Sequence, residues 1–397
     1  MKFGVRSVIS MLMLGSFVVG VGACNAVIGT KSYVHALPDA TGTNETPGVE
    51  RDGAAGEEGG VSGPCGDVES DRLNCGRCGH DCLGGDCALG KCQPIVLHAG
   101  GAPRSIALDA DHVYWSDATH ALVAKIDKNG ANYVELAKGG PLNRIPYGIA
   151  VDDKYVYWGG VSSAIVRCAI GGCANTPTLV TSTGPFDDVL VDDHNVYWID
   201  SDGASQMYYV RSIDKGTTNG TGGTVLVGPE PDLFRLAADA THIYVTSQTS
   251  SGGAGKLRRV AKTGGKVDVV SSGLGELWGA AVDDSNVYFS DSGDPGTINV
   301  ASKTAIDAPI IIFASQQHRP TGISLDGTNV YWANGFSGSA SPDGALMMCP
   351  IASCTSGITL VDHQSAPLTV AVDDKAIYWV NFDFGNEHGA VMKLAKP

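Results

Sequence analysis

The chain has few of the features that usually identify an enzyme or a nucleic-acid-binding protein. Its 397 residues contain no Gly-x-Ser-x-Gly elbow, no His-Glu-x-x-His pair and no Walker A loop. Runs of basic residues are missing, and the formal net charge is −15, so binding to nucleic acid is not expected. Only 17% of the residues are charged, whereas glycine is abundant at 53 residues, as a turn-rich β-protein requires.

The first residues have the order of a bacterial export signal. Lys2 and Arg6 precede a mostly apolar run, Ser7–Ala23, which is shorter than the roughly 20 residues that a spanning helix needs. The run ends Val21-Gly22-Ala23-Cys24, which resembles the lipobox of bacterial lipoproteins. The resemblance implies that residues 1–23 are removed, that Cys24 is lipidated, and that Asn25 directs the protein to the outer membrane. An ordinary cleaved signal is the alternative.

A linker and a cysteine-rich module follow. Residues 24–64 are poor in bulky apolar side chains, which predicts a flexible linker. In an exported protein, the six cysteines within 65–92 predict three disulfides, with fifteen pairings open. Zinc binding by Cys75, Cys78 and His80 is the alternative, which an oxidising compartment disfavours. The segment Asn74–Cys82 is similar to the NCGxCG leaders of secreted bacterial repeat proteins, which implies a spacer or stalk. The six cysteines are Cys65, Cys75, Cys78, Cys82, Cys87 and Cys92.

One phrase occurs seven times in the remaining chain: an apolar run, an aspartate and, five residues later, a tyrosine. The tyrosines are 40 to 47 residues apart. Each copy holds short segments rich in aromatic and β-branched residues, separated by Gly, Asp, Asn and Ser. This period predicts an all-β protein, a β-propeller with seven blades. The pairs are Asp109/Tyr114, Asp152/Tyr157, Asp192/Tyr197, Asp239/Tyr244, Asp283/Tyr288, Asp326/Tyr331 and Asp373/Tyr378.

The two ends of the repeat region complete each other. The last copy has no fourth strand, while an extra strand segment, Ile95–His98, stands before the first copy. We predict that Ile95–His98 pairs with Val391–Leu394 and closes residues 93–397 into a ring, because unpaired edges would be open to other molecules. The repeated aspartates occupy a tight turn, so we expect them to bond their own backbone and not calcium.

Three of the copies carry a more specific signature. Val113–Asp117, Val196–Asp200 and Val287–Asp291 resemble the YWTD repeat of lipoprotein-receptor propellers. The resemblance implies a propeller built for binding, without naming a partner. The chain departs from that family in having seven copies where the family has six, and in Val245 and Phe289, which stand where tryptophan is usual.

Two further cysteine pairs lie inside the repeats. Cys168 and Cys173 occupy the same place in copy two as Cys349 and Cys354 in copy six, where strand three turns into strand four. An exported location favours a local disulfide in each pair. A shared metal site is the alternative, but the two copies are well separated in a seven-membered ring.

The candidate binding surface is one end of the central channel, which we call the mouth. Two sets of loops meet there, those from strand four to the next blade and those between strands two and three. Both sets vary between the copies, and function usually resides in variable loops on a rigid frame. Aromatic, arginine and carboxylate side chains suit a binding mouth. The candidates are Arg104, Tyr147, Asp187, Phe234, Arg235, Trp278, His318, Arg319 and His388.

These patterns favour an exported envelope lipoprotein whose propeller binds a protein or a glycan. Membrane contact through the lipid alone, no cofactor and no resident metal are expected. The alternative is a lyase or hydrolase in which His318 or His388 acts as general base beside a divalent metal held by nearby carboxylates. Metal analysis of the purified protein would separate these two hypotheses, and a purely structural envelope protein without a ligand is the third.

Overall fold

The computed structural model describes Cys24–Asn25 and most of residues 65–397. The exceptions after residue 64 are 141, 143–144, 162, 203–206, 249–253, 305, 307–308, 336–342, 355 and 384–386, and the side chains of Cys24, Asn25, Phe186 and Asp187. The predicted signal and nearly all of the predicted linker therefore lie outside the described residues. Within the described part, no helix is long and apolar enough to cross a membrane.

The described chain is all-β. Two short strands belong to the cysteine module, β2 (Cys87–Ala88) and β3 (Lys91–Cys92), and a two-residue strand, β1 (Cys24–Asn25), runs parallel to the start of blade one. Strand β4 (Ile95–Ala99) precedes the blades, and β16 (Gly220–Thr221) adds to the outer edge of blade two. The remaining strands form the seven sheets that the repeats predict.

The blade strands run from the channel outwards. They are β5 (Pro103–Leu108), β6 (His112–Asp117), β7 (Leu122–Asp127) and β8 (Val134–Lys138) in blade one; β9 (Pro146–Val151), β10 (Tyr155–Gly160), β11 (Ala164–Ala169) and β12 (Thr178–Ser182) in blade two; β13 (Phe186–Val191), β14 (Asn195–Ser201), β15 (Met207–Asp214) and β17 (Thr224–Pro231) in blade three; β18 (Leu233–Ala238), β19 (His242–Ser247), β20 (Gly255–Ala261) and β21 (Asp268–Leu274) in blade four; β22 (Leu277–Val282), β23 (Asn286–Asp291), β24 (Gly296–Ser302) and β25 (Ile311–Gln317) in blade five; β26 (Ile323–Leu325), β27 (Asn329–Asn334), β28 (Gly344–Pro350) and β29 (Ile358–Gln364) in blade six; and β30 (Pro367–Val372), β31 (Ala376–Asn381) and β32 (Ala390–Ala395) in blade seven.

The ring closes as the sequence predicts. Strand β4 pairs antiparallel with β32, opposing His98 to Val391 and Ile95 to Lys393. The N-terminal strand thus supplies the fourth strand of blade seven. The prediction of a seven-bladed propeller closed in this way is confirmed.

The apolar core lies between the blades. Successive residues of a strand face opposite sides of the sheet, so each Tyr-Trp pair in the second strands serves two interfaces. Tyr114 of blade one shares a core cluster with Trp158 of blade two, and Tyr157 shares one with Trp198 of blade three. At the closing junction Tyr378 shares a cluster with Trp115. The repeated phrase is therefore the unit that joins blades together.

The repeated aspartate ties the same junctions from the polar side. In blade four, Asp239 accepts backbone N–H groups of Thr241 and His242 through Oδ1, while the Tyr244 hydroxyl donates to Oδ2. Lys303 of blade five forms a 2.7 Å ion pair with the same carboxylate. We call this set the Asp–Tyr–Lys clasp. It recurs with Lys128, Lys215, Lys262 and Lys396 on Asp373, Asp152, Asp192 and Asp326.

Two blades lack the clasp lysine. The equivalent backbone position, defined by a hydrogen bond to the first hairpin, is Ile170 in blade two and Ile351 in blade six. These are the two blades whose turns carry the predicted disulfides, Cys168–Cys173 and Cys349–Cys354, and both are confirmed. The cysteine pairs therefore stand where the lysine bridge to the preceding blade is missing.

The cysteine module is also disulfide-bonded. Its six cysteines pair as Cys65–Cys78, Cys75–Cys87 and Cys82–Cys92, which confirms three disulfides and resolves their order. The module packs on the propeller and does not stand apart as the expected stalk would. A His80 ring nitrogen lies 2.7 Å from the Lys396 carbonyl, and Leu83 packs on the core shared by blades one and seven. The buried Lys393 amine donates to the carbonyls of Leu83 and Lys128, at 3.0 and 2.8 Å.

Candidate functional site

The innermost strands begin at the mouth and run towards the opposite face of the ring. In most blades a β-bulge interrupts the pairing of the first residues of this strand with the second strand, as between Pro103 and Ser105 or Leu233 and Arg235. Bulges of this kind re-aim side chains and are common at barrel rims and sites. The second residue of six inner strands, together with Thr321 two residues before β26, forms what we call the mouth ring. Its members are Arg104, Tyr147, Asp187, Phe234, Trp278, Thr321 and Leu368.

One side of the mouth ring joins blades one and two. The Arg104 guanidinium carbon lies 3.8 Å from the centroid of the Tyr147 ring, a stacking distance for a cation on an aromatic face. Arg104 is buried, whereas Tyr147 remains partly exposed. The Ser116 hydroxyl donates to the Tyr147 carbonyl and fixes the start of β9 against blade one. The sequence predictions Arg104 and Tyr147 thus form one unit.

The other side brings together Phe234, Arg235 and Trp278. The rings of Phe234 and Trp278 meet edge to face at 5.2 Å, and the Arg235 guanidinium carbon lies 3.8 Å from the Phe234 centroid. Trp278 also packs against the core cluster formed mainly by blades one and seven, although it belongs to blade five. Since those blades are not its neighbours in the ring, its indole reaches across the channel. The two aromatic–arginine groups therefore lie on opposite sides of the channel.

The described carboxylate on the third inner strand joins two blades. Asp188 is fully buried and accepts the backbone N–H of Leu236 at 2.8 Å, which ties blade three to blade four. The Asp187 backbone lies in β13, and its side chain is outside the described residues. Strand β1 runs beside β5 at the depth of Ser105 and Ile106, just inside the mouth ring.

His318 and Arg319 lie on the loop that leads into blade six, and both are exposed. The Nδ1 atom of His318 is 3.3 Å from Asp294 Oδ1 and its Nε2 atom is 3.7 Å from Asp343 Oδ2. The imidazole thus lies between two carboxylates of separate loops. All three side chains are about half exposed, so water screens these contacts.

His388 belongs to a second histidine cluster, at the closing junction of the ring. Its Nδ1 atom lies 3.1 Å from the buried Asp383 carboxylate. Nearby, His120 Nδ1 is 3.0 Å from Asp117 and its Nε2 is 3.5 Å from Glu387 of blade seven. The hydrogen bond with Asp117 raises the pKa of His120 above its ordinary value. The sequence predictions missed His120, although it follows Val113–Asp117, the repeat signature itself, by three residues.

Metal-ligating side chains do not gather at the mouth in the described part of the chain. The one group of three such residues with ligand atoms within 4.8 Å comprises Cys75, Cys82 and Cys92. All three are held in disulfides, which removes their thiolates as ligands. His120, His318 and His388 each lie beside carboxylates, an arrangement suited to ion pairing and proton exchange.

Comparisons with known proteins agree on the fold alone. No protein-family model matches the chain, and no curated protein matches it. Virginiamycin B lyase from Staphylococcus aureus superposes with a TM-score of 0.58 at 11% identity, covering 77% of this chain and 99% of that one. A streptogramin B lyase gives 0.56 at 10% identity, covering 77% and 98%. The WD40 propeller of Doa1 gives 0.54 at 11% identity, covering 77% and 97%. Enzymes and an unrelated WD40 domain thus match equally well.

Proposed function

We propose that the chain is an exported envelope lipoprotein whose propeller mouth binds a protein or a glycan. The observation that carries the proposal is the arrangement of Arg104 on Tyr147 opposite Arg235, Phe234 and Trp278. Aromatic faces supply contact area at low entropy cost, and guanidinium groups supply directional donors. Residues of these types are enriched where proteins bind ligands and partners.

The frame favours binding because it holds these side chains in place. Five buried tryptophans join neighbouring blades, and the Asp–Tyr–Lys clasps join five blade junctions just beyond the far ends of the inner strands, so the frame that carries the mouth is fixed. A rigid site loses little conformational entropy when a ligand binds. The residues of the mouth ring can then differ from blade to blade without disturbing the frame.

The binding proposal is tested with the triple variant Tyr147→Ala, Trp278→Ala and Arg319→Ala on glycan and envelope-protein arrays. The wild-type protein should capture a defined set of ligands, and the variant should lose them. A matched control replaces Tyr133, Lys154 and Lys266, which lie away from the mouth, with alanine. Equal capture by both variants would remove the mouth from the proposal.

The envelope address is tested at Cys24. Palmitate labelling of the wild-type protein, with loss of label and release from membranes in Cys24→Ser, is the expected result. A lipid on Cys24 would draw this residue away from its place beside Ser105, so anchoring and occupation of the channel are alternatives. A membrane-bound but unlabelled protein would reject lipidation and leave the binding proposal standing.

A second candidate function rests on His318. Its imidazole lies between Asp294 and Asp343, an arrangement that could move a proton at a substrate atom. Two lyases share the fold, although at 10 and 11% identity. Turnover of a streptogramin B substrate that is lost in His318→Ala, together with a stoichiometric divalent ion, would favour the lyase. Absence of turnover with array binding intact would favour the binding protein.

A further inference from the structure

Arg235 differs from three other arginines that the strands hold, each of which pairs with a carboxylate. Arg258 pairs with Glu230 at 2.6 Å, Arg211 with Asp200 at 2.9 Å, and Arg259 with Asp268 at 2.9 Å. Arg235 is 1% exposed, more deeply buried than Arg258 at 3%, yet it forms no ion pair with any side chain that the structure describes.

The hydrogen bonds of Arg235 are incomplete. Its Nη1 donates to the Phe234 carbonyl at 2.7 Å, whereas Nη2 is inaccessible and has no acceptor among the described residues. A buried guanidinium without a full set of acceptors is costly, because it has lost its hydration without replacement. Among the groups that the structure describes, Nη2 therefore lacks an acceptor, and an anion would satisfy both the charge and this N–H group.

The surroundings of this guanidinium narrow the class of anion. Phe234, whose ring lies under Arg235, meets Trp278, and on the opposite side Tyr147 carries a second buried guanidinium, that of Arg104. Flat aromatic faces are electron-rich and suit the C–H faces of a sugar ring, whereas guanidinium forks suit a carboxylate. A uronic acid presents both features on one ring.

We infer that the mouth binds an acidic saccharide and that Arg235 receives its carboxylate. This inference rests on the proposed binding function and names its ligand class. On binding, the Arg235 side chain turns so that Nη2, which is covered in the free protein, donates to the carboxylate, and Trp278 and Tyr147 cover the sugar faces. A peptide carboxylate would satisfy the arginine alone and leave the aromatic surfaces unused.

The test compares trigalacturonate with its fully methyl-esterified form, which keeps the shape and removes the charge. Binding to the full-length protein is measured by calorimetry at about 0.15 M ionic strength, where long-range attraction is screened. We expect the acid to bind about 10- to 100-fold more tightly than the ester, the range for one charge-assisted hydrogen bond. Arg235→Met should abolish this preference. Arg167→Met is the control, because that arginine belongs to blade two and lies on the Tyr155 ring, away from the mouth.

The outcomes separate the inference from the proposed function. Equal binding of acid and ester by the wild-type protein, lost in Trp278→Ala, would overturn the anion inference and keep a glycan-binding mouth. Binding of neither, with array capture of a protein instead, would overturn the saccharide class. Preference for a peptide with a free over an amidated C-terminus would also overturn it. If Arg235→Met does not fold, Arg235→Lys, which keeps the charge and loses the fork, should lower the preference by itself.

Discussion

The Asp–Tyr–Lys clasp makes a quantitative prediction in blade four. In Tyr244→Phe the change removes one hydroxyl from a side chain that is 1% exposed and donates to Asp239 at 3.0 Å. The carboxylate keeps four donors: the N–H groups of Thr241 and His242, at 2.7 and 2.8 Å, the Thr241 hydroxyl at 3.1 Å, and Lys303 at 2.7 Å. Hydrogen bonds to charged groups contribute about 1.5–3 kcal/mol, and the remaining donors soften the loss. We therefore expect the free energy of unfolding to fall by about 1–2 kcal/mol.

Urea unfolding of the full-length protein measures this loss. The control is Tyr133→Phe, whose exposed hydroxyl lies 3.4 Å from Glu135, and which should change the free energy by less than about 0.5 kcal/mol. A double-mutant cycle with Lys303→Met should show coupling of at least about 0.5 kcal/mol, since both groups bind one carboxylate. If the two tyrosine variants unfold alike, or the cycle is additive, the clasp does not stabilise the blade junction.

Three further predictions concern pH and the closing junction. Burial, and the Asp283 carboxylate beside it, raise the pKa of Tyr288 to about 12. The pKa of Tyr114 is also raised, mainly by burial. The neutral phenols therefore stabilise the fold fully below pH 10, and this stabilisation is lost as the pH rises towards 12. The melting temperature should fall over that pH range, in step with the rise in absorption that accompanies tyrosine ionisation. Ionisation of these tyrosines at pH 10 with the fold intact would contradict the prediction. The raised pKa of His120 gives stability that is present below about pH 6.5 and lost as pH rises through the folded value, so His120→Gln should lower the melting temperature at pH 5.5 and leave it nearly unchanged at pH 9. In Lys393→Met, hydrogen exchange at residues 80–85 should speed up while blades three and four stay protected; uniform exchange would show that the amine does not hold the cysteine module.

The fold could be predicted from the sequence because its information is local and repeated. Tyr114 and Trp115 are adjacent in the chain, and pleating alone sends them to opposite interfaces. Ile95–His98 was identifiable as the closing strand because one blade lacked a fourth segment. The dockings of the cysteine module were not predictable, since they depend on the carbonyls of Leu83 and Lys396, which carry no sequence signal.

The mouth was only partly predictable for a physical reason. Residue type suggested Arg104, Arg235 and Trp278, but sequence does not show that both arginines are buried or that an indole crosses the channel. Bulges at the strand starts decide this, and they arise from the packing of neighbouring blades. His120 was missed because its role depends on Glu387, which meets it only when the ring is closed.

The pairing of His98 with Val391 has a consequence for biosynthesis. During synthesis, β4, which completes the ring, emerges before every blade, while its partner strand β32 emerges after almost all of them. Contacts between residues so far apart in the chain form slowly, so the nascent protein carries an unpaired β-edge until β32 has been made. If the cysteine module folds early, it would lie beside β4 and cover part of this unpaired strand until β32 is made.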